Sequence, residues 1–86
     1  MQNYMRKMEL KRKRDADLTE GLKFYRDGKY EAALEKFETV LGSKPEPKEV
    51  AVTSYNVACC YSQLNQLEAG LSALEDAMEA GYEDYK

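Results

Sequence analysis

An internal repeat constrains the fold of this chain more than any other feature of its sequence. The segments GKYEAALEKFETVL (28–41) and NQLEAGLSALEDAM (65–78) align without gaps at an offset of 37 residues. The same offset also pairs residues upstream of these segments, Gly21 with Ala58 and Phe24 with Tyr61. A period of about 20 to 50 residues is typical of solenoids, in which each unit packs against its neighbours. The sequence therefore predicts two copies of one structural unit.

Each unit has the apolar spacing of two helices joined by a short turn. In the first unit the apolar residues recur with the 3.6-residue period of a helix, and Gly28 can adopt the left-handed conformation that ends one. Pro47 suits the first turn of a third helix. No segment alternates like a strand. We predict an all-α fold with helices at about 15 (or earlier) to 27, 29–41, 47–64 and 67–80.

Small residues recur where paired helices are expected to cross. A glycine within a helix costs about 1 kcal/mol relative to alanine, so it indicates a close approach. We predict that Gly21 faces Ala33 and that Ala58 faces Gly70. The large side chains expected to fill the space beside these crossings are Phe24, Phe37, Tyr61 and Leu74.

The adjacent cysteines, Cys59 and Cys60, fit a packing role better than a chemical one. Neighbouring residues on a helix point about 100° apart, so these two cannot easily form a disulfide. The chain has no histidine and no third cysteine, so neither a zinc site nor a cysteine–histidine nucleophile can be assembled. We predict no catalytic residue, no metal and no cofactor.

The net charge of −3 conceals a basic arm on an acidic body. Residues 1–14 carry a charge of +5 and the remaining residues −8. Such an arm is suited to an anionic partner, and a solvated helix face explains it equally well. The arm could meet an acidic protein surface or, weakly, anionic lipid. Its basic residues are Arg6, Lys7, Lys11, Arg12, Lys13 and Arg14.

These patterns together resemble the tetratricopeptide repeat. The first unit matches at Gly21, Phe24, Gly28, Tyr30, Ala33, Phe37 and Pro45. It departs at Asp17 and Glu20, where the family usually has large apolar residues, and the second unit has Asn65 for the turn glycine. The resemblance implies a basic helical extension at 1–14, two repeats at 15–45 and 46–81, and the start of a further helix at 82–86.

Most of the chain, including the tract before the repeats, is more specifically similar to chloroplast proteins that join a PDZ domain to tetratricopeptide repeats. The similarity covers DGKYEAALEKFETVLGSKPEP, YNVACCYSQLNQ and AGLSALEDAMEAGYEDYK. It implies a peripheral location on the stromal side of the thylakoid membrane, and the free cysteines independently suit a reducing compartment. It also implies a role in photosystem II assembly or repair, with stromal loops of the core subunits as partners and a PDZ domain preceding residues 1–14.

The resemblance also implies a concave groove lined by the first helix of each repeat. A mostly apolar stripe there suits an extended peptide or a partner helix, although Leu18 and Leu22 could equally pack against a following element. The implied groove residues are Leu18, Leu22, Tyr25, Val52, Tyr55, Asn56, Cys59 and Ser62.

Other functional classes fit the sequence less well. Tetratricopeptide cochaperones hold a carboxylate with a lysine and asparagine, but Leu18 and Leu22 occupy those places and only Asn56 agrees. RNA-binding helical repeats use a basic concave face, whereas the body here is acidic. The sequence therefore predicts a non-enzymatic protein-binding scaffold. A cochaperone adaptor and an RNA-binding fragment are the alternatives.

Overall fold

The fold is a pair of stacked helical hairpins. A computed structural model describes the backbone of residues 2–82 and the side chains of residues 4–82. The helices are α1 (Gln2–Arg26), α2 (Tyr30–Leu41), α3 (Pro47–Gln63) and α4 (Leu67–Glu79). Hairpin α1–α2 packs on hairpin α3–α4 mainly through α2 and α3. The predicted all-α hairpin fold is confirmed. Of the predicted segment 82–86, residues 83–86 lie outside the described range.

Both hairpin turns have the same backbone geometry, one built on glycine and the other on asparagine. Gly28 has φ +78° and Asn65 has φ +61°. The N–H of Lys29 donates to the carbonyl of Phe24 at 2.8 Å, and that of Gln66 donates to Tyr61 at 2.9 Å. Asparagine tolerates this left-handed conformation better than most side chains do. Asn65 therefore replaces the turn glycine without changing the turn.

The core lies between the two hairpins, and each of the glycines at positions 21 and 70 packs against the other helix of its hairpin. Its buried side chains are Ala33, Phe37, Val57, Cys60 and Ala73. A Cβ built on Gly21 would lie 2.5 Å from the Phe37 ring, so that ring packs directly against Gly21. A Cβ on Gly70 would lie 3.5 Å from the carbonyl oxygen of Ala58, as predicted.

The expectation that Leu74 fills the second crossing is wrong. Leu74 is exposed, whereas Phe37, its counterpart at the 37-residue offset, is completely buried. Phe37 lies among core residues of α3, while no described helix follows α4 to cover Leu74.

Polar contacts between α1 and α2 explain the two departures from the repeat pattern. Asp17 Oδ2 accepts hydrogen bonds from Thr39 Oγ1 at 2.9 Å and from Lys13 Nζ at 3.0 Å. Burial tends to raise the pKa of Asp17, but the hydrogen bonds from Lys13 and Thr39 and the charges of Lys13 and Lys36 outweigh it and lower the pKa. Glu20 lies 3.7 Å from Lys36 Nζ. Charged contacts thus replace apolar ones at these positions.

Candidate protein-binding groove

The residues implied for the groove lie on two helices, α1 and α3, at spacings of three and four. Leu22, Tyr55 and Ser62 are exposed, and the other five are half-buried. Leu18 and Tyr25 also pack on the edge of the core. Helices α1 and α3 are in contact. Cys59 is the largest cause of the raised pKa of Tyr55 on α3 and Tyr25 on α1 the smallest, so the two stripes approach each other at these tyrosines.

A tyrosine cluster lies around this meeting point. The rings of Tyr25 and Tyr30 make an edge contact, with centroids 5.3 Å apart and planes at 67°. Tyr55 stacks on Tyr82, with centroids 4.4 Å apart and planes at 4°. Cys59 first, and then Tyr82, raise the pKa of Tyr55.

Sequence reasoning missed Tyr82 as a groove residue. At the 37-residue offset it stands where the first unit has Pro45. The structure stacks its ring on Tyr55, where it covers part of the α3 stripe. An aromatic residue directly after the helix-ending Gly81, which has φ +89°, was the available signal.

The side-chain amide of Asn56 is not available to bind a ligand carboxylate. Its side-chain nitrogen donates to the backbone carbonyl of Val52, one helical turn earlier, at 2.8 Å. The donor that a carboxylate clamp would use is therefore already engaged within α3. With leucines at the other two clamp positions, the groove offers contact area rather than a carboxylate site.

The two cysteines lie in different environments. Cys60 is completely buried in the core and Cys59 is half-buried beside Tyr55. Burial first, and then the neighbouring Cys59, raise the pKa of Cys60 to about 11. Both are free thiols. Cys60 therefore packs as a small apolar side chain, and Cys59 belongs to the groove surface.

Alkylation should distinguish the two thiols. Only about one Cys60 in a thousand would be a thiolate at pH 8, and the thiolate is the reactive form. We expect iodoacetamide to add one label to the native protein, at Cys59, and two labels in denaturant. Intact-mass and peptide mass spectrometry measure this, with Cys59→Ser as the control that should stay unlabelled when native. Labelling of Cys60 in the folded protein would contradict the burial described here.

Arg14 belongs to the interior rather than to a solvated basic arm. Its side chain is 5% exposed. The Nε atom donates to Glu49 Oε1 at 2.9 Å, and Nη1 donates to the carbonyl of Ser43 at 2.8 Å. The backbone N–H of Glu46 donates to the same Glu49 oxygen at 2.8 Å. Arg14 thus joins α1 to the α2–α3 connection and to the first turn of α3.

The other basic residues of the arm lie on the surface of α1. Lys11 lies 3.7 Å from Asp15, and Lys13 lies 3.0 Å from Asp17. Arg6, Lys7 and Arg12 are exposed. These three remain the best candidates for contact with an anionic partner.

Within residues 2–82 no group of three or more His, Cys, Asp and Glu side chains is placed to hold a metal ion. No helix in the same range has a stretch long and apolar enough to cross a bilayer.

Comparison with known proteins gives one strong similarity and two weaker ones. The chain is 66% identical over all 86 residues to a chloroplastic protein of Arabidopsis thaliana, and it spans 26% of that relative's length. The similarity indicates a chloroplast protein. Intraflagellar transport protein 70A of Xenopus tropicalis and of Danio rerio is 31% identical over 74 residues, which are 83% of this chain and 10% of each relative. No family model and no solved structure matches the chain.

Proposed function

We propose that this chain is a non-enzymatic protein-binding module of the tetratricopeptide type, acting on the stromal side of the thylakoid membrane. Its ligand is an extended or helical segment of a photosystem II core subunit, bound during assembly or repair. The similarity to a chloroplast protein at 66% identity supports the compartment. The resemblance of the repeats to those of chloroplast PDZ–tetratricopeptide proteins supports the partner.

One observation carries the binding proposal: an apolar and aromatic stripe lies on α1 and α3 and meets at Tyr25 and Tyr55. Leu22 and Tyr55 leave apolar area exposed there. Tyrosine is enriched in the energetically dominant parts of interfaces, because its ring gives large contact area with few torsions to fix. The stacked pair of Tyr55 and Tyr82 provides a flat aromatic surface for an apolar ligand side chain.

The second contribution to binding is electrostatic. Arg6, Lys7 and Arg12 lie on exposed positions of α1, well before the groove residues of the same helix. They attract an acidic partner surface over a distance of about 10 Å at 0.1 M salt, and thereby raise the association rate. The groove then holds the ligand and determines how slowly it dissociates.

Surface-plasmon kinetics on immobilised, detergent-solubilised photosystem II cores tests both contributions. Leu22→Ala with Tyr55→Ala removes contact area, so we expect dissociation to be faster by about tenfold or more, with the salt dependence unchanged. Arg6, Lys7 and Arg12 changed together to Gln should slow association and flatten its salt dependence. Gln66→Ala with Ser72→Ala changes two exposed residues outside the groove and should leave dissociation unchanged.

Three results would contradict the proposal. One is wild-type binding by the groove variant. Another is capture of a heat-shock C-terminal peptide by the wild type with no affinity for the cores, which would favour the cochaperone alternative. The third is salt-sensitive binding of single-stranded RNA in place of the cores, which would favour an RNA-binding fragment.

A further inference from the structure

The outer face of α4 carries a continuous apolar stripe. Leu67 is 67% exposed and Leu71 is 61% exposed, and Leu74 and Met78 continue the stripe along the helix. Two adjoining hollows of about 320 and 390 Å³ lie along it and share Leu71 and Leu74 in their walls. The first hollow also reaches Ala58 and Ser62 of α3. Together these residues form a shallow groove along most of α4.

The same positions in the first hairpin are a helix-packing face. At an offset of 37 residues, the counterparts of the four stripe residues are Tyr30, Leu34, Phe37 and Leu41. Phe37 is completely buried, and the other three are half-buried on the edge of the core. That core includes Val57 and Cys60 of α3, the helix that follows. The α4 stripe therefore has the same residue spacing as the face of the first hairpin on which α3 packs.

Acidic side chains border the α4 stripe on one side. At 100° per residue, Glu68, Glu75 and Glu79 fall together along the edge facing away from Gly70 and Ala77. All three glutamates are exposed. A helix seated on this stripe is therefore favoured when its own apolar face is bordered by basic residues.

The first half of α1 is a helix of that kind. Arg14 bonds to Ser43, just beyond the end of α2, so residues 2–13 of α1 extend past α2 by about 18 Å. Tyr4 is 66% exposed, Met5 is 64% exposed, and Met8 is also exposed. Lys7 and Lys11 border these apolar side chains and line a hollow of about 330 Å³ with Tyr4 and Met8.

We propose that this chain associates with itself head to tail, with the first half of α1 from one copy seated on the α4 stripe of the next. The two surfaces match in apolar character, and they match in length, since α4 has 13 residues. They carry opposite charge at their borders. Because they lie on different helices, each copy keeps one surface of each kind, and we expect association to continue into open chains, as head-to-tail contacts do unless the rotation between copies closes them into a ring.

Two variants isolate the two surfaces. Leu67→Gln with Leu71→Gln removes the most exposed apolar residues of the stripe, and Met5→Gln with Met8→Gln removes those of α1. Glutamine is a good helix former, so both variants should keep the helices. Circular dichroism checks this, and Leu22→Gln is the control for an exposed leucine elsewhere.

Sedimentation velocity over a range of concentrations measures the association. The wild type and Leu22→Gln should show a weight-average mass that rises with concentration and falls back in high salt. Each double variant alone should remain at the mass of one chain. An equimolar mixture of the two double variants should form a dimer and nothing larger, because one intact surface of each kind remains.

Each other result overturns the proposal. A wild type that stays a single copy at the highest concentration reached has no such interface. A wild type that stops at a dimer has a symmetric interface. If the mixed variants do not combine, the α1 and α4 surfaces do not bind each other, and the stripe serves a different helix.

Discussion

Replacing Arg14 by methionine is expected to lower the free energy of unfolding by about 2–4 kcal/mol. The substitution keeps most of the buried apolar stem but removes two charge-assisted hydrogen bonds, to Glu49 and to the carbonyl of Ser43. The carboxylate of Glu49 stays largely buried, and of its hydrogen bonds in this network only the one from the N–H of Glu46 remains. Urea denaturation followed by circular dichroism at pH 7 measures the change.

Arg12→Met is the matched control, since Arg12 lies on the same helix and is exposed. Surface substitutions of this kind usually change stability by no more than about 0.5 kcal/mol. Equal stabilities for the two variants would show that Arg14 is not a structural residue and belongs with the basic arm after all.

The effect of Arg14 should also depend on pH, through Glu49. Burial tends to raise the pKa of Glu49, but the hydrogen bonds from Arg14 and Glu46 and the charges of Arg14 and Lys11 outweigh it and hold the pKa below its usual 4.5. A carboxyl whose pKa is lower in the folded state stabilises the fold above its unfolded value and loses that contribution as the pH falls through the folded one. The stability gap between the wild type and Arg14→Met should therefore narrow below about pH 4.5.

Alanine substitutions at two helical glycines are expected to have opposite signs. Gly21→Ala places a Cβ 2.5 Å from the completely buried ring of Phe37, so the ring must move in a packed core, at a cost of about 1–3 kcal/mol. Gly70→Ala meets its nearest atoms at 3.5 Å, an ordinary contact, and should gain the helix propensity of alanine, about 1 kcal/mol. The gain in helix propensity applies at Gly21 too, so the two variants should differ in free energy of unfolding by the cost of the clash alone, about 1–3 kcal/mol. Denaturation midpoints, converted to free energy, measure this difference.

The second hairpin supplies a rescue for Gly21→Ala. Its counterparts of Gly21 and Phe37 are Ala58 and Leu74. Adding Phe37→Leu to Gly21→Ala should therefore cost less than the two single changes summed, since the smaller side chain removes the clash. Strict additivity, or a more stable Gly21→Ala protein, would mean that this crossing is looser than its geometry indicates.

The helices and their pairing could be predicted because local signals and the repeat agree. The apolar period, Gly28, Pro47 and Gly81 each mark an element or its end, and the observed bounds lie within one or two residues of the prediction for the last three helices. The start of α1 was less determined, since no helix-breaking residue before Asp15 marks where the helix begins.

Contacts between residues of different helices could not be predicted from the sequence, because they depend on how the helices are arranged in space. Arg14 looks like any other residue of a basic run until the α2–α3 connection brings Ser43 and Glu49 to it. Leu74 stands at the same place in the repeat as Phe37. Burial of Leu74 nevertheless requires a further helix packed on α4, which the sequence pattern of α4 alone does not specify. Tyr82 becomes a groove residue only because the chain after Gly81 returns to Tyr55.

Because α1 is one continuous helix, the direction in which side chains of its first half point is fixed relative to its second half. Gln2–Arg26 has no hinge, and Arg14 clamps its middle to the rest of the fold. Inserting a single residue between Met8 and Arg14 would turn everything before it by about 100° about the helix axis and shift it by about 1.5 Å. Tyr4 and Met5 would then point elsewhere while the groove residues Leu18 and Leu22 stayed in place. The number of residues between Met8 and Arg14 thus determines the direction in which Tyr4 and Met5 point. Seven inserted residues, about two full turns, should nearly restore the original direction.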